Sequence, residues 1–196
     1  KLKFGRGFNR PNTDLETLTE LQDLEFGDNF NQDINGRLPG SLVKLKFGHV
    51  FKQEGTDLKT LTELQDLEFG FQFNQDINNL LPESLVKLKF GHDFNQPNTN
   101  LKTLTKLRDL KFAHRFNQDI NKLLPESLIA LYLGDAFNQE GTDLTGLTKL
   151  QYLEFGWAFN RPITACLPKS LVKLKLGHQF DQPNTNLIAL TKLQDL

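Results

Sequence analysis

The chain has 196 residues, and its 23 basic and 24 acidic side chains leave a formal net charge of −1. This balance excludes a strong net field that would attract nucleic acid or an anionic membrane. No apolar run approaches the roughly 18 residues of a membrane-spanning helix, so we expect neither a nucleic-acid partner nor membrane insertion. The single cysteine, Cys166, excludes an internal disulfide framework. With no Asn-x-Ser/Thr acceptor and no signal peptide, the sequence leans towards a cytoplasmic setting without fixing the compartment.

A leucine-based pattern repeats along the whole chain, and residues 85–96 show it as L-x-x-L-x-F-G-x-x-F-N-Q. We call its second leucine the anchor. The anchors are Leu2, Leu24, Leu45, Leu67, Leu88, Leu110, Leu131, Leu153, Leu174 and Leu196. Their spacing alternates between 22 and 21 residues, which predicts a solenoid whose coils bury their apolar faces by stacking. We predict a single solenoid over residues 1–196, with about nine coils arranged as 43-residue pairs.

Each coil is expected to begin with a short parallel strand around its anchor. In the third coil, Leu45 and Phe47 share one face of this strand, while Lys44 and Lys46 point to the other. A glycine usually follows, and a phenylalanine comes three residues after that glycine. These phenylalanines predict an aromatic spine through the core: Phe8, Phe30, Phe51, Phe73, Phe94, Phe116, Phe137, Phe159 and Phe180. The asparagine that usually comes next, such as Asn74, is expected to bond the backbone of neighbouring turns.

The return side of the coils is predicted to alternate between two forms. Residues 58–64 carry a leucine at every third position, which suits a short 3-10 turn. Residues 81–85 read Leu-Pro-Glu-Ser-Leu, where the proline opens a tight, irregular turn. This alternation is the reason that the true repeating unit is a pair of coils.

The strand pattern L-x-x-L-x-F resembles the strand segment of leucine-rich repeats, and Leu-Thr-x-Leu-x-x-Leu resembles their return segment. The combination S-L-x-x-L-x-F-G-x-x-F-N-Q with a following Leu-Pro is similar to the FNIP-repeat branch of that superfamily. Residues 159–163 are the nearest copy of the naming motif, and most other coils depart from it at Pro or Ile. The resemblance implies an α/β-type leucine-rich-repeat solenoid with one parallel β-sheet face and 3-10 or irregular turns on the return side. For function it implies a protein-interaction solenoid.

The residues on either side of each anchor face solvent and alternate in charge from coil to coil. We call those that directly follow the anchor the strand row: Lys3, Glu25, Lys46, Glu68, Lys89, Lys111, Tyr132, Glu154 and Lys175. Neighbouring strands lie about 4.8 Å apart, so opposite charges are expected side by side. Each exposed pair stabilises the sheet by about 0.2–1 kcal/mol. Most of this face is therefore interpreted as a solvated surface that neutralises its own charge.

The alternation breaks near the sixth to eighth coils. Lys111 stands where Glu is expected, and Tyr132 and Tyr152 replace charged residues. Trp157, the only tryptophan, follows a glycine and is expected next to Asp135 of the preceding coil. Because Tyr and Trp are enriched at interaction hot spots, we predict that Lys111, Tyr132, Asp135, Tyr152 and Trp157 form a binding patch, hereafter the sheet-face patch. Neutral drift among recently duplicated coils is the alternative interpretation.

No other residues predict a chemical site. His49, His92, His114 and His178 share the position after the glycine, but only His92 and His114 lie on neighbouring coils. Two imidazoles without a third ligand make a poor zinc site, and the repeated turn serines are expected across the coil from them. We therefore expect no catalytic residue, no metal and no cofactor. Cys166 is interpreted as a small hydrophobic residue of the core.

Two functions are consistent with these observations. The first is a non-enzymatic scaffold that binds a protein partner through the sheet face, around the sheet-face patch. The second is a structural repeat protein whose copies associate end to end into a filament or surface layer. The second hypothesis comes from residues 1–4 and 194–196, which keep the repeat pattern where solenoids usually carry polar caps. We expect the solenoid to be uncapped at both ends.

Overall fold

The computed structural model describes residues 1–196 and contains one short strand in each of nine coils. The strands are β1 (Leu2–Lys3), β2 (Asp23–Glu25), β3 (Lys44–Lys46), β4 (Asp66–Glu68), β5 (Lys87–Lys89), β6 (Asp109–Lys111), β7 (Ala130–Tyr132), β8 (Tyr152–Glu154) and β9 (Lys173–Lys175). They form one sheet in chain order, and every pairing is parallel. The predicted solenoid with a single parallel sheet is confirmed.

The anchors pair with one another along the sheet. Leu24 lies opposite Leu45, and Leu45 lies opposite Leu67, in a register that continues to Leu174. The anchors of β2 to β9 are buried, whereas the residues on either side of them are half-buried or exposed. This alternation follows from the two-residue period of a strand, and it places the strand row on the solvent face.

Leucine and phenylalanine side chains fill the space between the sheet and the return side as one cluster of 46 buried residues. The spine phenylalanines stack from coil to coil with ring centroids 5.9–6.3 Å apart. In most coils a second phenylalanine, two residues after the anchor, stacks on the spine ring at 3.7–3.9 Å. The predicted spine is therefore one half of a double aromatic column.

A ladder of asparagine side chains joins the coils beside this column. Asn74 Oδ1 accepts a hydrogen bond from the backbone N–H of Asn95 at 2.9 Å, and Asn117 Oδ1 accepts one from Asn138 at 2.9 Å. A glutamine often adds a second bond, since Gln139 Nε2 lies 3.0 Å from Asn117 Oδ1. Each such asparagine satisfies a backbone donor that would otherwise lack a partner in a part-buried site.

The glycine after most strands from β2 onwards lies where successive coils approach closely. A Cβ atom on Gly70 would lie 1.7 Å from the carbonyl oxygen of Gly48, well inside any normal contact. Coil six carries Ala113 at the equivalent place, and that coil accommodates the extra carbon. The chain can therefore leave the strand without separating the coils.

The return side consists of turns, with neither an α-helix nor a 3-10 helix along it. Leu61 donates its N–H to Leu58, and Leu64 donates to Leu61, each at 3.0 Å. These bonds span three residues, as in a 3-10 helix, but each closes a separate turn. The α/β designation and the 3-10 segments therefore stay predictions. The structure contains no helix that is long and apolar enough to cross a membrane.

One residue in each coil adopts the left-handed conformation, with φ between 55° and 71°. These residues are Asn12, Gly36, Gly55, Asn79, Asn98, Lys122, Gly141, Ala165 and Asn184. Glycine and asparagine tolerate this conformation better than other residues. The chain alternates between Pro-Asn-Thr and Glu-Gly-Thr at this place, so the left-handed position is filled by asparagine in one form and by glycine in the other.

Candidate functional site

The strand row forms ion pairs over much of the sheet. Lys3 Nζ lies 2.9 Å from the carboxylate of Glu25. Glu68 contacts both Lys46, at 3.5 Å, and Lys89, at 2.8 Å. All five side chains are partly exposed, so each pair contributes at most about 1 kcal/mol. In these coils the charges of the strand row are paired with their neighbours.

Strand β6 ends this alternation, because the register places Lys111 beside Lys89. Lys111 turns instead to Tyr132, and its Nζ lies 5.4 Å from the ring centre in a cation–π contact. The Tyr132 ring lies 4.8 Å from that of Tyr152 at a tilt of 37°. Lys175 covers the far side, with Nζ 5.8 Å from the Tyr152 ring centre. Lys111, Tyr132, Tyr152 and Lys175 therefore form one continuous cluster across β6 to β9.

The tyrosines of this cluster are held as neutral hydroxyls. Burial raises the pKa of both Tyr132 and Tyr152, and the charge of Asp109 raises that of Tyr132 further. The Tyr152 hydroxyl donates to the carboxylate of Glu154, which also favours its protonated form. Burial raises the pKa of Asp109 too, although the charges of Lys87 and, less strongly, Lys111 oppose this effect. Both phenols of the cluster are therefore neutral, and that of Tyr152 is already hydrogen-bonded to Glu154.

Asp135 and Trp157 lie in a second row, formed by the residues four positions after each anchor. We call it the turn row: Arg6, Asp28, His49, Phe71, His92, His114, Asp135, Trp157 and His178. Asp135 Oδ2 accepts a hydrogen bond from His114 Nδ1 at 3.0 Å. Trp157 stacks on His178 with ring centroids 4.1 Å apart and planes parallel to within 1°. The residues of the sheet-face patch thus fall into two groups, one on the strands and one in the turn row.

The turn row contains an aromatic stack that sequence reasoning missed. Phe71 lies between His49 and His92, with ring centroids 4.5 and 4.2 Å away, and His92 stacks on His114 at 4.5 Å. A groove of about 460 Å³ separates this stack from the strand row over coils two to six. The signal was available in the sequence, because Phe71 occupies the same place in its coil as the four histidines.

The other residues considered from the sequence have structural partners. Ser84 donates its hydroxyl to the carbonyl oxygen of Leu64 at 2.7 Å, and Ser127 donates to Leu107 at 2.6 Å. Cys166 is half-buried against the core, and burial raises the pKa of its thiol. No group of three or more His, Cys, Asp or Glu side chains is placed to hold a metal ion.

Comparisons with known proteins address the repeat and the fold. Residues 19–50, 62–93 and 148–179 match the profile of a family described as FNIP Repeat. One similar solved structure is the crystal structure of CroV588, described as a novel circular LRR protein structure. The similarity covers 98% of this chain at 29% sequence identity with a TM-score of 0.55, and the chain spans 42% of the length of that protein. No curated protein matches the sequence.

Proposed function

Since the chain is an FNIP-repeat protein with a leucine-rich-repeat-like solenoid, we propose that it is a non-enzymatic scaffold that binds a protein partner on its sheet face. The proposed contact surface is the sheet-face patch on coils six to eight. The observation that supports it is the joining of Lys111, Tyr132 and Tyr152 into one cluster where the charge alternation of the strand row is interrupted. A repeat solenoid is consistent with a scaffold role, because stacked coils offer an extended surface.

The tyrosines of the cluster replace residues that would stabilise the coils by forming ion pairs. A residue that recurs in every coil meets a need of the coil, as the Lys and Glu residues of the strand row do by pairing. At Tyr132 and Tyr152 the chain gives up such pairs, which are worth at most about 1 kcal/mol each. In exchange it gains two half-buried aromatic side chains with polar ends, the type enriched at interface hot spots.

The cluster is also held in place before any partner arrives. Tyr132 is packed between Lys111 on one side and Tyr152 on the other. Ordering a mobile side chain on binding costs about 0.5–1.5 kcal/mol, and these contacts remove much of that cost. A preorganised aromatic pair beside the Lys111 ammonium suits a partner surface that combines apolar and acidic or carbonyl groups.

A peptide-display selection on the wild-type chain tests this proposal. Selected peptides are expected to lose at least about tenfold in affinity for Tyr132→Ala and for Trp157→Ala, because hot-spot truncations cost 2 kcal/mol or more. The matched control is Phe71→Ala, which removes an exposed aromatic side chain outside the patch. Circular dichroism and thermal melting establish that each variant is folded. Peptides that bind both patch variants like wild type, or that depend on Phe71 instead, would refute the proposal.

End-to-end association is a second proposal, and the uniform stacking of the coils supports it. Each strand from β2 to β9 pairs with its predecessor in the same anchor-to-anchor register, so one coil is a template for the next. The similar protein described as circular is longer, because this chain spans 42% of its length. Light scattering over a dilution series distinguishes the two proposals, since association without any partner gives a mass that rises with concentration. A constant monomer mass would refute end-to-end association.

A further inference from the structure

The rings of the turn row stack along the solenoid axis, one ring per coil. Successive ring centroids in His49, Phe71, His92 and His114 are 4.2–4.5 Å apart, with planes parallel to within 14°. Trp157 and His178 continue this geometry at 4.1 Å. Since neighbouring strands lie about 4.8 Å apart, each ring fills the space that one coil provides.

Asp135 interrupts this stack between His114 and Trp157. Its side chain has no ring, and its carboxylate leans onto His114 through Oδ2. The His114 and Trp157 rings therefore belong to coils two steps apart, about 9–10 Å along the axis. This separation is about twice the ring spacing elsewhere in the row, and the shorter Asp135 side chain, which has no ring, stands between the two ring faces. Asp135 and Trp157 are both exposed, with 59% of the Asp135 side chain and 55% of Trp157 accessible to solvent.

We propose that this gap binds the guanidinium group of an arginine on the partner protein, an inference that rests on the proposed function and names the chemistry of its partner. A guanidinium is planar, stacks on aromatic faces and pairs with carboxylates. Trp157 supplies the ring face, and Asp135 supplies a carboxylate whose Oδ1 makes no hydrogen bond in the structure. No other side chain in proteins combines a flat shape with a permanent positive charge.

The same row already contains such a pair within the chain. Arg6 Nε lies 3.4 Å from the carboxylate of Asp28, one coil away. An arginine therefore fits beside an aspartate at this position of the repeat. Asp28 has its arginine on the preceding coil, whereas Asp135 has a histidine there and an open side towards Trp157. The partner's arginine would lie on that open side.

Trp157 is the only tryptophan in the chain, so its fluorescence reports on the gap directly. The probe is a capped Gly-Arg-Gly peptide, compared with the same peptide carrying citrulline, which is planar but neutral. We expect a saturable change in emission with the arginine peptide and about tenfold weaker binding of the citrulline peptide, because the charge supplies the cation–π and ion-pair contacts. An equal response to both peptides, or no response to the arginine peptide, overturns the proposal.

Two variants and a second peptide sharpen the result. Asp135→Asn keeps the size of the side chain and removes its charge, so the arginine peptide should bind it about tenfold more weakly. The matched control, Asp28→Asn, changes the same row far from the gap and should respond like wild type. A lysine peptide that matches the arginine peptide would overturn the guanidinium assignment, because an ammonium has no planar face to stack.

The failure of this inference is distinguishable from the failure of the proposed function. Displayed peptides that depend on Tyr132 and Trp157 but bind equally well without arginine would refute the guanidinium site and leave the scaffold proposal standing. A display selection in which no peptide depends on the sheet-face patch would refute the scaffold proposal itself. Arginine enrichment among the patch-dependent peptides, lost on Asp135→Asn, is the outcome expected if both are correct.

Discussion

The asparagine ladder has one defect, and repairing it should stabilise the protein. At seven coil interfaces an asparagine Oδ1 accepts a hydrogen bond from a backbone N–H of the next coil, at 2.9–3.0 Å. The eighth has Lys52 in place of asparagine, and the N–H of Asn74 has no partner. Lys52→Asn supplies the missing acceptor. One net hydrogen bond contributes about 0.5–1.5 kcal/mol to stability, which raises the melting temperature of a domain of this size by roughly 1–6 °C.

The assay is urea unfolding combined with hydrogen exchange at the Asn74 amide. Protection of that amide should increase in Lys52→Asn along with the urea midpoint. Asn117→Lys is the mirror-image control, because it leaves the N–H of Asn138 and one donor of Gln139 without their acceptor. It should cost about 1–3 kcal/mol, the penalty of an unsatisfied part-buried donor. Unchanged protection at Asn74 together with an unchanged midpoint would refute the view that the ladder stabilises the coils.

Three further changes test the packing, the turns and the electrostatics. Phe94→Ala removes a fully buried ring from the double column and should destabilise the protein by about 3–5 kcal/mol; Phe8→Ala, at a half-buried position, should cost less than half as much by the same urea assay. Lys122 is in the left-handed conformation with φ 61°, and Lys122→Asn should stabilise the protein by about 1 kcal/mol because asparagine tolerates that conformation better. An unchanged stability would refute the view that the backbone is strained at Lys122. Burial raises the pKa of Asp109, so the folded state disfavours the charged form of its side chain. The wild-type protein therefore loses folding stability as the pH rises from the ordinary pKa of aspartate to the raised one. Asp109→Asn should therefore raise the urea midpoint at neutral pH and have little effect at acidic pH. A larger increase at acidic pH than at neutral pH would contradict the claim that the Asp109 charge destabilises the folded state.

The architecture could be predicted because each coil repeats one set of local rules. The spacing of the anchors fixes one coil per strand, and the two-residue period of a strand decides that Leu45 is buried while Lys44 and Lys46 face solvent. Parallel in-register pairing then follows, because a slip of one residue would turn Leu45 outward. The FNIP-repeat resemblance and the leucine-rich-repeat-like fold are both confirmed by the comparisons.

The side-chain contacts could not be predicted, because they depend on rotamers that a repeat pattern does not specify. The sequence places Phe90 and Phe94 on the inside, but their 3.8 Å stacking depends on how the chain bends between them. The residues of the sheet-face patch were chosen because they break the pattern, yet Trp157 contacts His178 rather than the tyrosines. Phe71 was missed, although it occupies the same position in its coil as the four histidines.

The central claim is that a partner binds where the repeat is broken, and site-directed photo-crosslinking tests it most directly. A photoreactive phenylalanine analogue is placed at position 132 and, as a matched control, at position 46, the equivalent place in the strand row of coil three. With a patch-selected peptide or its parent protein, the account predicts crosslinking from position 132 and none from position 46. Equal crosslinking from both positions, or crosslinking from position 46 alone, would show that the broken repeat does not mark the binding surface.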